Sequence, residues 1–320
     1  MPVKILTPNR AGLMACTAAV VVVVTVSCLA TYTQDCISYH VKRSLQGPIP
    51  QDDPDLIEWV RGQLVPPSRL PYNLTLLMSG LHQEADQAKS GDIYSPSQEF
   101  ILGKVEELYG KKLTQAGTFL EAGAYDGEFL SNTLYLEHDF NWRGLLVEAN
   151  PVFFQKLLWK RRKSYAINIC LNTKPFPSKE TFLTGSEQPE ETNHLLSQDS
   201  VDQPLRDPLM EQHISLGSSG LIDYKHNDTQ VGSVTEVQCV PLYTVIRALG
   251  RTHIDFLSLD VEHAEMGILD TVPWGEISFT VMAIEHTTQD DLVSYLDQRG
   301  YQHVASFHAD HIFVNKKNIL

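Results

Sequence analysis

The stretch Phe119-Leu-Glu-Ala-Gly-Ala-Tyr-Asp-Gly127 and the run Gly144-Leu-Leu-Val-Glu-Ala-Asn-Pro151 constrain this chain more than any other part of it. Each reads as a short buried strand that leads into a carboxylate. Glu121 precedes a turn whose Gly123 and Gly127 let the backbone come close to a ligand. Glu148 closes the second strand, and Asn150-Pro151 opens the next helix as N-cap and first-turn proline. The separation of Glu121 and Glu148 fits one strand-helix-strand unit. The pair therefore predicts neighbouring strands of a doubly wound sheet, which binds ligands over the carboxyl ends of its strands.

The turn argues against two common phosphate sites. It lacks the lysine and the serine or threonine of a P-loop, and Tyr125 stands where a dinucleotide fingerprint would carry its central glycine. A cationic sulfonium cofactor with no phosphate suits an acid-rich pocket. The pattern reads as an S-adenosylmethionine site, with the acid at the second strand end aimed at ribose hydroxyls.

Beyond these two strands the alternation continues. Ser164–Asn168, Asp255–Asp260 and Thr280–Glu285 read as strands three to five, followed by a helix near Asp290–Arg299 and a terminal hairpin over Tyr301–Phe307 and Ala309–Val314. Strands alternating with helices argue for an α/β fold with a mostly parallel sheet, covered on both faces and carrying an antiparallel C-terminal edge. Ser95-Pro-Ser-Gln98 is a capping-box pattern ahead of Phe100, Ile101, Val105 and Leu108, so the domain is expected to start on this amphipathic helix. The polar segment 172–233 is too long for a simple loop. It reads as a lid or substrate-side insertion, or as partly disordered.

Ala11 to Ala30 is almost wholly apolar and carries no charge, and about 20 such residues span a bilayer as a helix. Lys4 and Arg10 lie before it and Asp35 comes first after it, which favours a cytoplasmic N-terminus. The run exceeds the roughly 7–15 residues of a usual signal-peptide core, which favours a signal anchor over a peptide cleaved after Ala30. The expected organisation is a cytoplasmic tail (1–10), one transmembrane helix (11–32), a Pro-rich stem (33–91) with a short helix at Asp53–Val60, and a lumenal domain (92–320). Asn73-Leu-Thr75 and Asn227-Asp-Thr229 are then possible glycan acceptors. Cys170 and Cys239 can pair in an oxidising lumen or remain buried thiols, and Cys36 is left over. A net charge of −14 argues against nucleic acid as a partner. Paired Cys and His spacings for zinc are absent, and His303, His308 and His311 show no convergence, so no metal is expected.

Phe119–Gly127, Ser131-Asn-Thr133, Trp142-Arg-Gly-Leu-Leu-Val-Glu-Ala-Asn-Pro151 and Ile254-Asp-Phe-Leu-Ser-Leu-Asp-Val-Glu262 together resemble the FkbM-type methyltransferase domain, over roughly 92–320. The resemblance implies a Rossmann-like S-adenosylmethionine-dependent methyltransferase fold. It places Glu121, Gly123, Ala124, Tyr125, Asp126 and Gly127 around the methionine moiety, and Glu148 and Asn150 around the ribose. Asp260 and Glu262 would face the methyl group and acceptor, with Asp260, Glu285 and His286 as candidate bases. His263 departs from the family's usual glycine and would crowd that end of the pocket.

With the anchor added, the chain also resembles the invertebrate Star-like type II membrane proteins. That likeness implies regulation of the export of EGF-receptor ligand precursors through the endoplasmic reticulum, Golgi and endosomes, with an EGF-like precursor as cargo. This is the reading the sequence favours. The alternative is an active O-methyltransferase acting on a sugar or another small hydroxylic acceptor.

Overall fold

The computed structural model describes residues 48–74, 96–185, 220–221 and 232–317, all within a compact unit that runs from Leu45 to Leu320. The apolar run 11–30, Cys36 and Asn227 fall outside the described residues. Among the described residues no helix is long and apolar enough to cross a membrane.

The chain enters through α1 (Pro54–Gln63), α2 (Pro96–Tyr109) and a 3-10 turn (Gly110–Thr114). Next come β1 (Thr118–Ala122), α3 (Leu134–Phe140), β2 (Arg143–Val147), α4 (Pro151–Lys160) and β3 (Tyr165–Ile167). Four strands follow: β4 (Cys170–Leu171), β5 (Ser178–Gly185), β6 (Gly220–Leu221) and β7 (Gly232–Val240). The chain closes with α5 (Leu242–Ala248), β8 (His253–Leu259), α6 (Glu265–Asp270), β9 (Ser278–Glu285), α7 (Gln289–Asp297), β10 (Tyr301–Phe307) and β11 (Asp310–Asn315).

Seven strands form the main sheet in the order β10-β11-β9-β8-β1-β2-β3. β1 is central and parallel to both neighbours, Leu120 lying opposite Leu145 on one side and Leu257 on the other. Phe119, Leu120, Leu145, Leu146, Phe256 and Leu257 are fully buried, as continuous apolar runs in a two-sided parallel sheet must be. The chain winds from β1 outward through β2 and β3, then returns to build β8 and β9 on the other side. The strand order therefore switches between β1 and β8, which opens a crevice at their carboxyl ends.

The C-terminal hairpin forms, but β11 inserts between β9 and β10 and runs antiparallel to both. The antiparallel strand is thus one position in from the edge, not at it. Burial explains the choice: Ile312, Phe313 and Val314 are all buried and need neighbours, whereas β10 alternates half-buried and exposed residues, a pattern an edge strand tolerates.

Two further expectations change. The ends of the 172–233 insertion pair as a second sheet, ordered β4-β7-β5-β6, with β5 antiparallel to β7 from Ser178↔Cys239 to Gly185↔Gly232. The segment 48–74, expected in the stem, is part of the folded domain. Asp53 caps α1 as expected, its Oδ1 accepting from the N–H groups of Asp55 and Leu56. Leu56 and Val60, one turn apart, are fully buried, so the helix has an apolar stripe that must be covered. Arg61 Nε donates to Ala248 O, Thr244 Oγ1 donates to Gln51 O, and Val65 bridges Ala166 on the open side of β3. That bridge covers an edge that would otherwise present unpaired backbone groups.

Candidate cofactor-binding and active site

The turn after β1 is held from below and from the side. Gly123 and Ala124 both donate their N–H to Val147 O at 3.1 Å, which bends the chain across the end of β2. Gly123 has φ +84°, and a Cβ there would lie 1.8 Å from the carbonyl oxygen of Asp260. No side chain fits between the ends of β1 and β8. Asp126 Oδ1 accepts from the N–H groups of Glu128 and Phe129, and Lys160 Nζ bridges Asp126 and Glu128 at 3.3 and 2.6 Å.

Glu121 does not reach the ligand space. Its buried carboxylate accepts from Ser131 Oγ, Asn132 N and Thr133 Oγ1, so it draws the loop 131–133 onto β1. Arg162 backs the same loop, donating to Gly127 O, Ser131 Oγ, Thr133 Oγ1 and Glu137 Oε1. Burial pushes the Glu121 pKa up, against the opposing pull of Arg162 and the three hydrogen bonds. Burial also acts on Glu137, but there Arg162 and the Lys163 N–H prevail and the pKa falls below its ordinary value. Glu121, Ala124, Asp126, Gly127 and Asn150 thus shape the walls and do not line the cavity, while Gly123, Tyr125 and Glu148 do line it.

The cavity has a volume of about 340 Å³ and crosses the strand ends in sheet order. Glu285 ends β9, Asp260 follows β8, Gly123 follows β1, Glu148 follows β2, and Ile169, Cys170 and Leu171 lie beyond β3. Glu148 occupies the middle. Its Oε2 accepts from Tyr125 N and its Oε1 from Asn150 N, both at 2.7 Å, and the Ala149 N–H also bonds to this carboxylate, so both oxygens are fixed in place. On the β3 side the wall is apolar, made by Ile169, Leu171, Phe182 and Leu221, with the Tyr125 and Phe153 rings 4.0 Å apart nearby. The opposite end holds Asp260, Glu262 and Glu285.

Burial raises the Glu148 pKa to about 7, with Asp126 adding to the shift and the backbone N–H groups opposing it. Between the ordinary glutamate pKa of about 4.3 and about 7 the folded state holds more protons than the unfolded one, so apo stability falls as pH rises through this window. The loss expected from this group is about 3–4 kcal/mol, complete above pH ~7. A series of denaturant melts from pH 4.5 to 8 on wild type and Glu148→Gln checks it, because the variant should lack that slope.

At the acidic end, the surrounding protein desolvates the Asp260 carboxyl and Glu285 faces it, so its pKa is raised well above the ordinary value. Its side chain is exposed and lines the cavity, so the carboxylates of Glu285, Glu262 and Glu265 around it carry the direction of the shift. Asp260 does not cap α6. That loop is tied by Glu265, whose Oε1 accepts from Val261 N and His263 N at 3.1 Å. Glu262 (φ +59°) and His263 (φ +79°) both adopt left-handed backbone, the conformation that suits a glycine. The expected crowding by His263 does not arise, because its side chain is exposed and does not line the cavity. His286 also stays outside it, with Nδ1 3.7 Å from Glu265 Oε2.

Sequence reasoning missed Phe129, Phe153, Ile169, Leu171, Phe182, Leu221 and Glu265. Phe153 carried a signal, since it sits two residues after the predicted first-turn proline. Phe182 and Leu221 carried none, because a second sheet brings them in.

The methyltransferase FkbM domain family model matches residues 121–303, more than half of the chain. No curated protein sequence matches it. Among solved structures, the methyltransferase FkbM from Methylobacillus flagellatus KT is similar at 13% identity and a TM-score of 0.34, over 62% of this chain and 43% of that one. Precorrin-6y C5,15-methyltransferase from Geobacter metallireducens GS-15 is similar at 11% identity and a TM-score of 0.32, over 68% of this chain and 84% of that one. The chain thus spans less than half the length of that FkbM protein, and the assignment rests on the 121–303 match. S-adenosylmethionine is the cofactor consistent with it, and the chain belongs to the methyltransferase FkbM domain family.

Proposed function

We propose that the chain is an S-adenosylmethionine-dependent O-methyltransferase whose acceptor is a sugar or another small hydroxylic compound. One observation carries this reading. A single cavity runs across the switch point with an apolar end, a central acid and an acidic end, in an order that suits adenine, ribose and sulfonium. The fit extends to the backbone, because only glycine at position 123 lets the ends of β1 and β8 approach this closely beneath the cavity.

When bound, the cofactor supplies an electrophilic methyl group on a sulfonium. Glu148 would hold the ribose hydroxyls, and Ile169, Leu171, Phe182 and Leu221 would exclude water from the base. Asp260, with its raised pKa, would accept the acceptor hydroxyl's proton at a carboxylate oxygen, with Glu285 facing it. Holding the acceptor in line can contribute roughly 7–11 kcal/mol, so a rigid cavity needs little more than a base. The test is transfer of labelled methyl from S-adenosylmethionine into a panel of neutral glycosides by the full-length protein. Incorporation supports the reading. A protein that binds the cofactor yet labels no hydroxylic acceptor contradicts it and returns weight to the trafficking role.

We further propose a lumenal domain behind the 11–32 anchor. The Cys170–Cys239 disulfide supports this, since such bonds persist in oxidising compartments. Protease treatment of intact microsomes should leave the domain protected, and its digestion would exclude the topology. The EGF-precursor export reading draws on residues outside those described and gains no support from the cavity.

A further inference from the structure

We infer that the Cys170–Cys239 disulfide is a positioning element for the cofactor's base, so that full cofactor affinity requires the oxidised protein. The inference rests on the cofactor reading above and goes beyond it by assigning work to the second sheet. Cys170 lines the cavity directly, at the far side of Glu148 from the carboxylates. Its partner Cys239 is fully buried in β7.

The second sheet meets the main one at a narrow joint. β4 follows β3 by two residues and pairs with β7 at only two positions, Cys170↔Cys239 and Leu171↔Val240. A hydrogen bond from Asn172 N to Val240 O, 3.0 Å, extends that joint by one residue. Asn172 Nδ2 also donates to Phe176 O and Ser178 Oγ at the start of β5, and the rest of the second sheet is carried by β7. β5 pairs along β7, β6 pairs with β5, and Phe182 and Leu221, opposite each other on β5 and β6, form the outer part of the apolar wall. Two ladder positions are a weak clamp, since a two-stranded contact of this length is marginal by itself. The disulfide joins the first of those two pairs covalently, across a sequence separation of 69 residues. It therefore sets where the Phe182 and Leu221 side of the wall stands relative to Ile169 and Leu171 on the main-sheet side. A wall fixed before binding spares the ligand the ordering cost of assembling it.

The alternative, a bond that only stabilises the fold, predicts a change in melting temperature with no selective change in ligand affinity. Calorimetric titration of the oxidised full-length protein with S-adenosylmethionine and with adenosine, repeated after reduction, separates the two. The reductant is a phosphine, which supplies the two electrons and becomes phosphine oxide with oxygen from water, leaving two thiols. Thiol titration and near-ultraviolet circular dichroism report that the bond is open and the fold kept. Reduction should weaken both ligands by the same factor, about tenfold, because the loosened wall packs on the base that both ligands carry. The Cys170→Ser/Cys239→Ser double variant should bind as weakly with or without reductant. Phe182→Ala with the disulfide intact should weaken both ligands as well, and it decides the matter if reduction unfolds the protein. Unchanged affinity in the reduced, folded protein, or wild-type affinity in Phe182→Ala, overturns the inference while leaving the cofactor site standing. Oxidised wild type that binds neither ligand removes the cofactor reading and this inference with it.

Discussion

Gly123→Ala is expected to abolish S-adenosylmethionine binding and to destabilise the domain by more than about 4 kcal/mol, an exceptional value for a single methyl group. Two costs add. The backbone at φ +84° lies in the left-handed region, which costs a non-glycine residue about 1–2 kcal/mol. The larger cost is steric, because the new Cβ would sit 1.8 Å from the Asp260 carbonyl oxygen. That oxygen belongs to backbone and cannot rotate away. Asp260 N donates to Ala122 O at 3.2 Å, and β1 and β8 are in register up to Ala122↔Leu259, so relief means parting the two central strands. Thermal melting and a cofactor titration measure both effects. Gly103→Ala provides the control: it lies inside α2 with nothing within 4 Å of an added Cβ and should gain up to about 1 kcal/mol of stability. A Gly123→Ala protein that melts and binds like wild type would contradict the close approach of β1 and β8 on which the cavity depends.

Asp260→Asn should lower the rate of methyl transfer by about 10²–10⁴-fold, the usual range for loss of a positioned proton acceptor. Cofactor affinity should change by less than about tenfold, because an amide of the same shape keeps the cavity wall and removes one of its several carboxylates. The pH dependence carries its own sign. Desolvation by the surrounding protein and the carboxylates of Glu285, Glu262 and Glu265 raise the Asp260 pKa, so at low pH the carboxyl is protonated and cannot take a proton from the acceptor. The wild-type rate should therefore climb as pH passes upward through that raised value, and Asp260→Asn should lose the limb. The readout is kcat and KM across pH for whichever acceptor the labelling panel yields. Wild-type kcat in the asparagine variant would remove Asp260 as the base and shift attention to Glu285, the carboxylate that faces it in the same cavity.

Much of the architecture was legible because parallel strands buried on both faces leave unbroken apolar runs. Leu145–Val147 and Val281–Ile284 are such runs, and in β1 the apolar run is interrupted only by the buried Glu121. Glu148 was legible for a related reason, since a carboxylate at the end of an apolar run, followed by Asn-Pro, marks both a strand end and a helix start. Position in sequence did not reveal which carboxylates face the ligand. Glu121 and Glu148 read alike, yet the side-chain hydroxyls of Ser131 and Thr133 and the N–H of Asn132 claim the first, while the second opens into the cavity. Those claims come from a loop 10 to 12 residues away and leave no local trace. The segment 48–74 read as stem because its prolines interrupt any long element. Its burial comes from Leu56 and Val60 docking on the domain and from Val65 pairing with β3, which are long-range contacts. Leu242–Ala248 is a helix of seven residues buried along almost its whole length, too short and too apolar to show an amphipathic period.

The measurement that bears most directly on the central claim is calorimetric titration of S-adenosylmethionine into the oxidised full-length protein, alongside a folded Glu148→Ala variant. Full-length protein is needed because residues 48–74 are part of the domain. Binding should be one to one and should strengthen from pH 6 to 8, because the ribose hydroxyls and the sulfonium favour the ionised carboxylate of a Glu148 whose pKa lies at about 7. The variant should not bind detectably. A folded wild-type protein with no binding at any pH, or a folded Glu148→Ala protein that binds as well as wild type, would contradict the assignment of this cavity as the cofactor site.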